Sequence, residues 1–406
     1  MNEIPTMSAE QLGMSKYTRR QFLKFSGAAT AATAATVLSM NDVAEAAITR
    51  PLPLGTPILV VVTLYGGNDG LNTFIPYDDP LYYDLRTKIA LNKDLVVGKN
   101  KGMAFHPSLK DFAQMQQNGD LTVIQNVGYP EPIRSHFRSQ EIWQTATDSN
   151  KYMNEGWLGR FLDLQCNGHQ ATAGINLDSI DNLALKGVEP NFITVKDPDR
   201  FKVKSKEENV TLSKNPHLDF VRKIANSVTE GSDEIQKALA KSKTEISYPK
   251  TELSKNLEWI ARLIKGNLNS KVYYTSLNGF DTHDNQLSIH ERKLTDLNDA
   301  LFSFYSDLKE AQLLQNVTVV VFSEFGRRVK DNGNGTDHGT AAPMFIIGGN
   351  NKGAILGKNP NLADLDNGDL KYEIDFRSVY ASLLKQKLDF DYSKIGIKNK
   401  PVSGLF

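Results

Sequence analysis

The chain has 406 residues, of which 40% are hydrophobic and 23% are charged, a balance typical of a protein that buries a substantial core. Its 47 basic and 47 acidic residues cancel, and no long basic run occurs, so the positive surface that nucleic-acid-binding proteins need is missing. The only cysteine, Cys166, excludes an intrachain disulfide.

The N-terminal segment, residues 1–46, has the features of a twin-arginine (Tat) export signal. Arg19 and Arg20 are followed by Phe-Leu-Lys and by a weakly apolar run over residues 25–40. The Ala-Glu-Ala that ends at Ala46 predicts cleavage directly after it. The apolar run is too short and too polar for a stable membrane span, so we expect passage through the Tat translocase to the periplasm or beyond. The alternative is an amphipathic N-terminal helix with a chance arginine pair.

The mature chain, residues 47–406, alternates strand and helix patterns. Buried strands rich in β-branched residues are predicted at 57–65, 121–127, 272–277, 317–322 and 344–347. Helices are predicted at 107–118, 135–145, 157–164, 253–264 and 287–314. This alternation predicts an α/β fold with a mostly parallel central sheet and helices on both faces. The lysine-rich, poorly periodic residues 186–250 are interpreted as a small peripheral insertion or cap.

Polar side chains come directly after the first of these strands and after the third. Asp69, in a Gly-Gly-Asn-Asp-Gly segment, offers a carboxylate to a hard cation, unless it belongs to an ordinary turn. Asp281 and His283 lie two residues apart and so point to one side of an extended backbone. Their alternative role is a helix cap beside a surface histidine. A mixed carboxylate and imidazole set predicts zinc, manganese or iron rather than calcium.

The last two strands are also flanked by groups that suit chemistry. Glu324 follows the fourth strand and is a further candidate metal ligand, and Arg327 or Arg328 is a candidate for holding a phosphate or sulfate oxyanion. A surface ion-pair cluster is the alternative. A glycine-rich loop then brings Asp337 and His338 to the start of the fifth strand, where His338 is expected to bind metal or assist catalysis rather than form a simple turn.

A fifth candidate is Ser135, at the predicted start of the helix 135–145. A serine there is a natural helix cap. The functional alternative is a nucleophilic hydroxyl that faces the backbone N–H groups and the favourable dipole of the helix. In mostly parallel sheets the ligand site lies beyond the carboxyl ends of the strands, and all five segments fall on that edge, so one site is expected there.

Five segments carry a resemblance that covers nearly the whole mature chain. They are Gly-Gly-Asn-Asp-Gly-Leu-Asn, Arg-Ser-His-Phe, Phe-Asp-Thr-His, Ser-Glu-Phe-Gly-Arg and Asp-His-Gly-Thr-Ala-Ala-Pro. The chain resembles a bacterial family of Tat-exported proteins of unknown function, which is similar to the alkaline phosphatase and sulfatase superfamily. The resemblance implies an alkaline-phosphatase-like fold, a two-metal site, and a hydroxyl or modified-cysteine nucleophile that cleaves phosphate or sulfate esters.

Carried over by position, the resemblance assigns the nucleophile to Ser135 and the metal ligands to Asp69, Asp281, His283, Glu324 and His338. Phe325 stands where the superfamily has a histidine, which implies that one metal site is weakened or absent. Aligning His136 with a histidine of related phosphodiesterases would instead place the nucleophile at Pro132, which has no hydroxyl. Cys166 lacks the Cys-x-Pro-x-Arg context, which disfavours a sulfatase of the cysteine type.

The leading hypothesis is an exported hydrolase of phosphate or sulfate esters, small or polymeric, that depends on a divalent metal. The metal lowers the pKa of a hydroxyl or water, and Arg327 or Arg328 assists together with His338. The alternative is a non-catalytic periplasmic binding or assembly protein on a degenerate form of the fold. A Ser-His-Asp hydrolase is disfavoured because no Gly-x-Ser-x-Gly motif occurs. No P-loop, Gly-x-Gly-x-x-Gly or Cys-x-x-Cys motif supports a nucleotide or haem site.

Overall fold

The computed structural model describes residues 55–166, 169–178, 181–202 and 216–406, all within one compact unit, Pro51–Phe406. The predicted signal segment, residues 1–46, lies outside the described residues. In the described part the strands are, in chain order, β1 (Ile58–Tyr65), β2 (Phe74–Ile75), β3 (Val97–Asn100), β4 (Met103–Phe105), β5 (Leu121–Gly128), β6 (Gly174–Asn176), β7 (Phe192–Thr194), β8 (Val272–Asn278), β9 (Val317–Ser323), β10 (Ala342–Gly348), β11 (Ile355–Leu356), β12 (Leu365–Asp366), β13 (Asp369–Leu370) and β14 (Ile374–Asp375).

The α-helices of the same ranges are α1 (Gly70–Thr73), α2 (Pro80–Leu85), α3 (Lys110–Gln117), α4 (His136–Thr145), α5 (Trp157–Gln165), α6 (Pro216–Lys241), α7 (Glu252–Lys265), α8 (Gln286–Glu310) and α9 (Phe376–Ser382). Short 3-10 turns occupy Pro107–Leu109, Leu183–Leu185 and Tyr392–Ile395, and a π-helical turn follows α9 at Leu383–Lys387. A search of the described helices finds none with the length and apolar content needed to cross a membrane.

The central sheet has the strand order β11-β5-β10-β9-β1-β8-β6-β7, and β14 also pairs with β5. Strands β7, β6, β8, β1 and β9 run parallel to one another, whereas β10 is antiparallel to both β9 and β5. The sheet is therefore mostly parallel, as predicted, with one reversed strand between β5 and β9. Because β10 is reversed, its first residue, Ala342, lies at the edge where β1, β5, β8 and β9 end.

The two faces of the sheet are covered by two hydrophobic cores. Along β1 the side chains alternate, so Val60 packs in the core that contains Leu297 of α8, and Leu59 packs in the core that contains Ile142 of α4 and Phe161 of α5. All five side chains are essentially inaccessible to solvent. A strand buried on both faces needs a continuous apolar run rather than an alternating pattern, and this is why β1 was recognisable from its sequence.

One helix lies in the segment that was interpreted as poorly periodic. Helix α6, Pro216–Lys241, falls within the interpreted insertion or cap, and its Ile235 is buried in the same core as α8. Its sequence does carry helical apolar spacing, at Val228, Ile235 and Leu239, a pattern that the interpretation of this segment missed. A Cβ atom at Gly231 would lie 2.4 Å from a methyl carbon of Ile193, so the glycine allows close packing against β7.

Candidate metal centre

Three histidines and one aspartate converge where β1, β8 and β9 end and β10 begins. His136 opens α4 after β5, Asp281 and His283 lie in the loop after β8, and His338 lies in the loop before β10. Ligand-type atoms of His136, Asp281 and His338 all lie within 4.8 Å of one another. Nε2 of His283 lies 3.0 Å from Nε2 of His338 and 3.1 Å from Oδ1 of Asp281. These four residues are called the histidine cluster below.

Each histidine of the cluster is oriented by an acceptor at Nδ1. The acceptors are Oε1 of Glu324 for His136 (2.9 Å), Oδ1 of Asp337 for His283 (3.1 Å) and the backbone carbonyl of Arg134 for His338 (2.8 Å). Because carboxylate and carbonyl oxygens only accept hydrogen bonds, each Nδ1 carries a proton, and Nε2 of each ring is directed towards Asp281. Outer partners of this kind are typical of metal-bound histidines.

With its rings neutral, the centre of the cluster consists of hydrogen-bond acceptors. Nε2 of His136 is buried and has no hydrogen-bond partner within the described part of the chain, although it lies 3.4 Å from Oδ2 of Asp281. The Nε2 atoms of His283 and His338 face each other and the other oxygen of Asp281. An unpaired buried acceptor costs about 1–3 kcal/mol, so the arrangement calls for a cation, either a proton shared by the imidazoles or a metal ion. The donor set fits a divalent metal.

Asp281 is ionised and accessible. Partial burial alone would raise the pKa of Asp281, but the hydrogen bond and the charge of Arg327 lower it to about 2. The pKa of His136, by contrast, is raised, because His136 forms a hydrogen bond with Glu324. The side chains of Asp281 and His283 are 49% and 45% exposed, so a substrate in solution can reach the cluster.

Arg327 is placed differently from the oxyanion-binding role considered for it. Its side chain is fully buried and donates to Oδ1 of Asp281 at 2.6 Å. Its other donors are used by the backbone carbonyls of Gly66, Gly67, Phe280 and Thr336. Arg327 therefore connects three loops and holds Asp281, but it has no guanidinium edge free for a substrate.

Glu324 lies behind the cluster rather than in its centre. It is 1% exposed, and its Oε1 accepts hydrogen bonds from the backbone N–H of Gly66 and from His136. The structure thus gives Glu324 the place of an outer partner of His136, not that of a direct ligand. The adjacent Phe325 packs its ring 4.9 Å from the rings of both His136 and His338. An apolar side chain therefore occupies the position at which the resemblance implies a metal-ligating histidine.

Asp69 does not join the cluster in the structure. Its carboxylate is 1% exposed, pairs with the buried Arg86 at 2.6 Å and accepts a hydrogen bond from Leu71 at the start of α1. Burial would raise the pKa of Asp69, but the ion pair with Arg86 lowers it. Gln286 donates a hydrogen bond to the same carboxylate oxygen of Asp69 that Arg86 contacts. With these partners Asp69 is the anion of a buried ion pair, which explains why it is not available as a ligand.

Ser135 sits at the cap position of α4, as predicted, but makes no capping hydrogen bond with its side chain. It is exposed and lies between Arg134, whose carbonyl contacts His338, and His136. Its role as nucleophile stays a prediction.

Two glycines allow the loops to meet. Gly66 has a φ of +116°, and a Cβ atom there would lie 2.4 Å from the backbone nitrogen of Asp281. A Cβ atom on Gly335 would lie 2.4 Å from the carbonyl oxygen of Thr282. A larger residue at either position would push apart the backbone segments that carry the cluster.

Sequence reasoning singled out three of the four cluster residues and did not assign His136 to the metal. The available signal was its position, since it follows the end of β5 on the same sheet edge, but the neighbouring Ser135 was the candidate chosen there. Asp337 was noted only as part of its loop. Its contact with Nδ1 of His283 depends on the way two distant loops pack, which the sequence pattern does not contain.

Several solved structures align with most of this chain at low sequence identity. Ps i-CgsB in complex with k-i-k-neocarrahexaose has 10% identity and a TM-score of 0.43, over 85% of this chain and 75% of that one. A protein in the alkaline phosphatase superfamily from Vibrio parahaemolyticus has 11% identity and a TM-score of 0.36, over 75% and 63%. The phosphonate monoester hydrolase of Agrobacterium radiobacter has 8% identity and a TM-score of 0.36, over 86% and 79%. Similarity at this level carries no functional argument.

No protein of curated function matches the sequence significantly. Residues 16–36 match the model of the Tat pathway signal sequence, so the chain is exported by the Tat pathway to the periplasm or beyond. Residues 57–386 match a family described as protein of unknown function (DUF1501), and this match includes all four residues of the histidine cluster. Since the match covers most of the chain, the protein belongs to the DUF1501 family.

Proposed function

We propose that this exported protein is a hydrolase of phosphate or sulfate esters that depends on a single divalent metal centre. The observation that carries the proposal is the convergence of three histidines on Asp281, with the buried Nε2 of His136 directed at Asp281 and without a hydrogen bond among the described residues. Buried polar atoms are nearly always paired in folded proteins, so an orphan of this kind next to a carboxylate marks a ligand site.

The residues that would hold the metal are His136, Asp281, His283 and His338. Imidazole and carboxylate together suit zinc, manganese or iron. When bound, such a metal supplies Lewis acidity, which activates a water or hydroxyl and neutralises charge on the transferred group.

The protein's own groups prepare the site for this chemistry. Arg327 keeps Asp281 ionised, and the carboxylates of Glu324 and Asp337 hold the Nδ1 protons of their histidines so that Nε2 remains a ligand. The hydroxyl of Ser135 lies exposed at the same rim, where it is available to attack an ester or to orient one.

A non-catalytic binding or assembly protein remains the second candidate, and Phe325 is the observation that favours it. Its ring fills the position at which the resemblance implies further metal ligands. If no buried, unpaired cation lies beside it, a single cluster of this kind can bind a metal or an anionic partner without cleaving a bond.

Elemental analysis of the mature protein, purified after native Tat export, tests the proposal. We expect about one equivalent of zinc, manganese or iron per chain, lost in an Asp281→Ala, His283→Ala double variant. Glu291→Ala removes an exposed acid of α8 and should retain the metal. Cleavage of 4-nitrophenyl phosphate or sulfate by the loaded protein is the second measurement. A well-folded protein without metal contradicts the proposal, and a metal-loaded protein that cleaves no ester favours the binding function.

A further inference from the structure

Two arginines outside the histidine cluster share one buried carboxylate. Nη2 of Arg134 lies 2.5 Å from Oδ2 of Asp369, and Nε of Arg328 lies 3.8 Å from Oδ1 of the same residue. The side chain of Asp369 is 2% exposed, whereas those of Arg134 and Arg328 are 39% and 32% exposed. The carboxylate thus anchors two guanidinium groups that keep part of their surface in solvent.

The backbone of each arginine contacts the histidine cluster or its outer partners. The carbonyl of Arg134 accepts the hydrogen bond from Nδ1 of His338. The backbone N–H of Arg328 donates to the carbonyl of Asp337, whose side chain holds His283. The two arginines therefore flank the cluster on the side of the loop that carries His338.

The two guanidinium groups keep solvent-exposed surface although they have acidic neighbours. Asp366 is a further negative charge that acts on Asp369, and Asp337 is one that acts on Arg328. Both oxygens of Asp369 are buried, and Arg134 and Arg328 are the cations that face them. Burial raises the pKa of Asp369, in keeping with a carboxylate that depends on these two cations. Strand β13, which carries Asp369, is tied to the loop of His338 because Thr340 donates to the carbonyl of Leu370.

We propose that Arg134 and Arg328 form the binding site for the tetrahedral oxyanion of the substrate, a phosphate or sulfate group, and that Asp369 is the residue that positions them. The inference rests on the proposed function and identifies how the ester is recognised. Arginine is suited to this role because its planar donors engage two oxygens of such a group at once. Arg327, the other arginine considered from the sequence, is fully buried and already donates to protein acceptors.

Calorimetric titration of the mature protein with inorganic phosphate and with inorganic sulfate tests the site, with zinc bound and after its removal. We expect Arg134→Gln and Arg328→Gln each to weaken anion binding by about 10-fold or more, the effect of losing a hydrogen bond to a charged group. The zinc content should not change. Arg200→Gln removes an arginine whose side chain is 88% exposed and should have no effect. Tighter binding of phosphate or of sulfate then identifies the ester.

The inference is overturned if the zinc-loaded wild-type protein binds neither anion, or if both glutamine variants bind as the wild type does. Should Arg134→Gln unfold, Arg134→Lys decides, since it keeps a charge for Asp369 but lacks the planar fork; we expect several-fold weaker anion binding in a folded protein, and unchanged binding contradicts the site. A protein that does not bind zinc contradicts the proposed function. In that case the anion affinity of the arginine variants, measured without zinc, still tests the anion site on its own.

Discussion

The Nε2 atoms of His283 and His338 lie 3.0 Å apart, and each lies 3.1 Å from the same carboxylate oxygen of Asp281. Nδ1 of each ring is already committed to an oxygen acceptor, so neutral rings bring two lone pairs and an anion into contact. The remainder of the fold must supply the free energy that holds them there. A cation that binds both Nε2 atoms and the carboxylate replaces this repulsion with attraction. The free energy of unfolding should therefore depend on whether metal is bound.

Zinc is expected to raise the melting temperature of the mature protein, because a ligand that binds only the folded state stabilises it. At about 1,000 times its dissociation constant it adds about 4 kcal/mol, on the order of 5–10 °C in Tm for a chain of this size. Differential scanning calorimetry with and without zinc measures the shift. His136→Ala should abolish it, whereas Phe137→Ala, at a neighbouring residue that is 88% exposed, should retain it. An equal shift in both variants would exclude His136 as a ligand.

Glu324→Gln is expected to weaken zinc binding by about 10- to 100-fold without unfolding the protein, since the amide oxygen can still accept from His136 but carries no charge. The hydrogen bond to Glu324 raises the pKa of His136, so the same variant should lower that pKa in the zinc-free protein. Zinc titration and NMR titration of the imidazole measure the two effects. Glu291→Gln, on an exposed position of α8, is the control. An unchanged pKa of His136 would contradict the outer-partner role.

The ends of the strands were predictable from the sequence, and so were the positions of the loops next to them. The run at 57–65 was recognisable because both faces of β1 are buried, and the observed strand is Ile58–Tyr65. Asp281 and His338 follow and precede their strands directly, so the rule that sites lie beyond strand ends located both. The reversed direction of β10 brings His338 to that same edge.

The partners of individual side chains were not predictable. Asp69 and Glu324 fall on the correct edge, but the partner of each lies on another element: Arg86, 17 residues away, for Asp69 and His136, 188 residues away, for Glu324. A sequence pattern gives the position of a carboxylate on an element. It does not show which cation or N–H group will face that carboxylate after the loops pack.

Gln286→Met is expected to loosen the two loops that carry the cluster. Oε1 of Gln286 accepts from Thr336 at 2.6 Å and from Thr282 at 3.2 Å, while its Nε2 donates to Asp69. Thr282 separates two cluster residues, and Thr336 precedes Asp337, so loss of this bridge should weaken zinc binding.

Leaving these buried groups without a partner should also lower the free energy of unfolding by about 1–3 kcal/mol. Urea unfolding and zinc titration of Gln286→Met measure both effects. Gln315→Met, at an exposed position, should change neither. If Gln286→Met lost stability but bound zinc as the wild type does, the bridge would be structural only.

Two buried histidines should make the protein sensitive to mild acid. Burial lowers the pKa of His106 to about 3 and that of His290 to about 4. In the unfolded chain both take up a proton near pH 6.5, whereas the folded protein resists protonation, so the unfolded state binds more protons as the pH falls. Their contribution to stability is fully present above pH 6.5 and is lost progressively as the pH falls towards the folded values. At pH 5 the loss is about 2 kcal/mol for each histidine.

The comparison that isolates this effect is His106→Asn, because asparagine can still cap the 3-10 turn, where Nδ1 of His106 accepts from Ser108. Other titratable groups make the folded protein more stable as the pH falls. Burial raises the pKa of Asp178 to about 6, so protonation of Asp178 between pH 7 and 5 favours the folded state. The difference between wild type and His106→Asn in urea unfolding at pH 7.5 and pH 5 cancels such contributions. We expect the variant to lose about 2 kcal/mol less than the wild type over this interval, and equal losses would show that the pKa of His106 is the same in the folded and the unfolded protein.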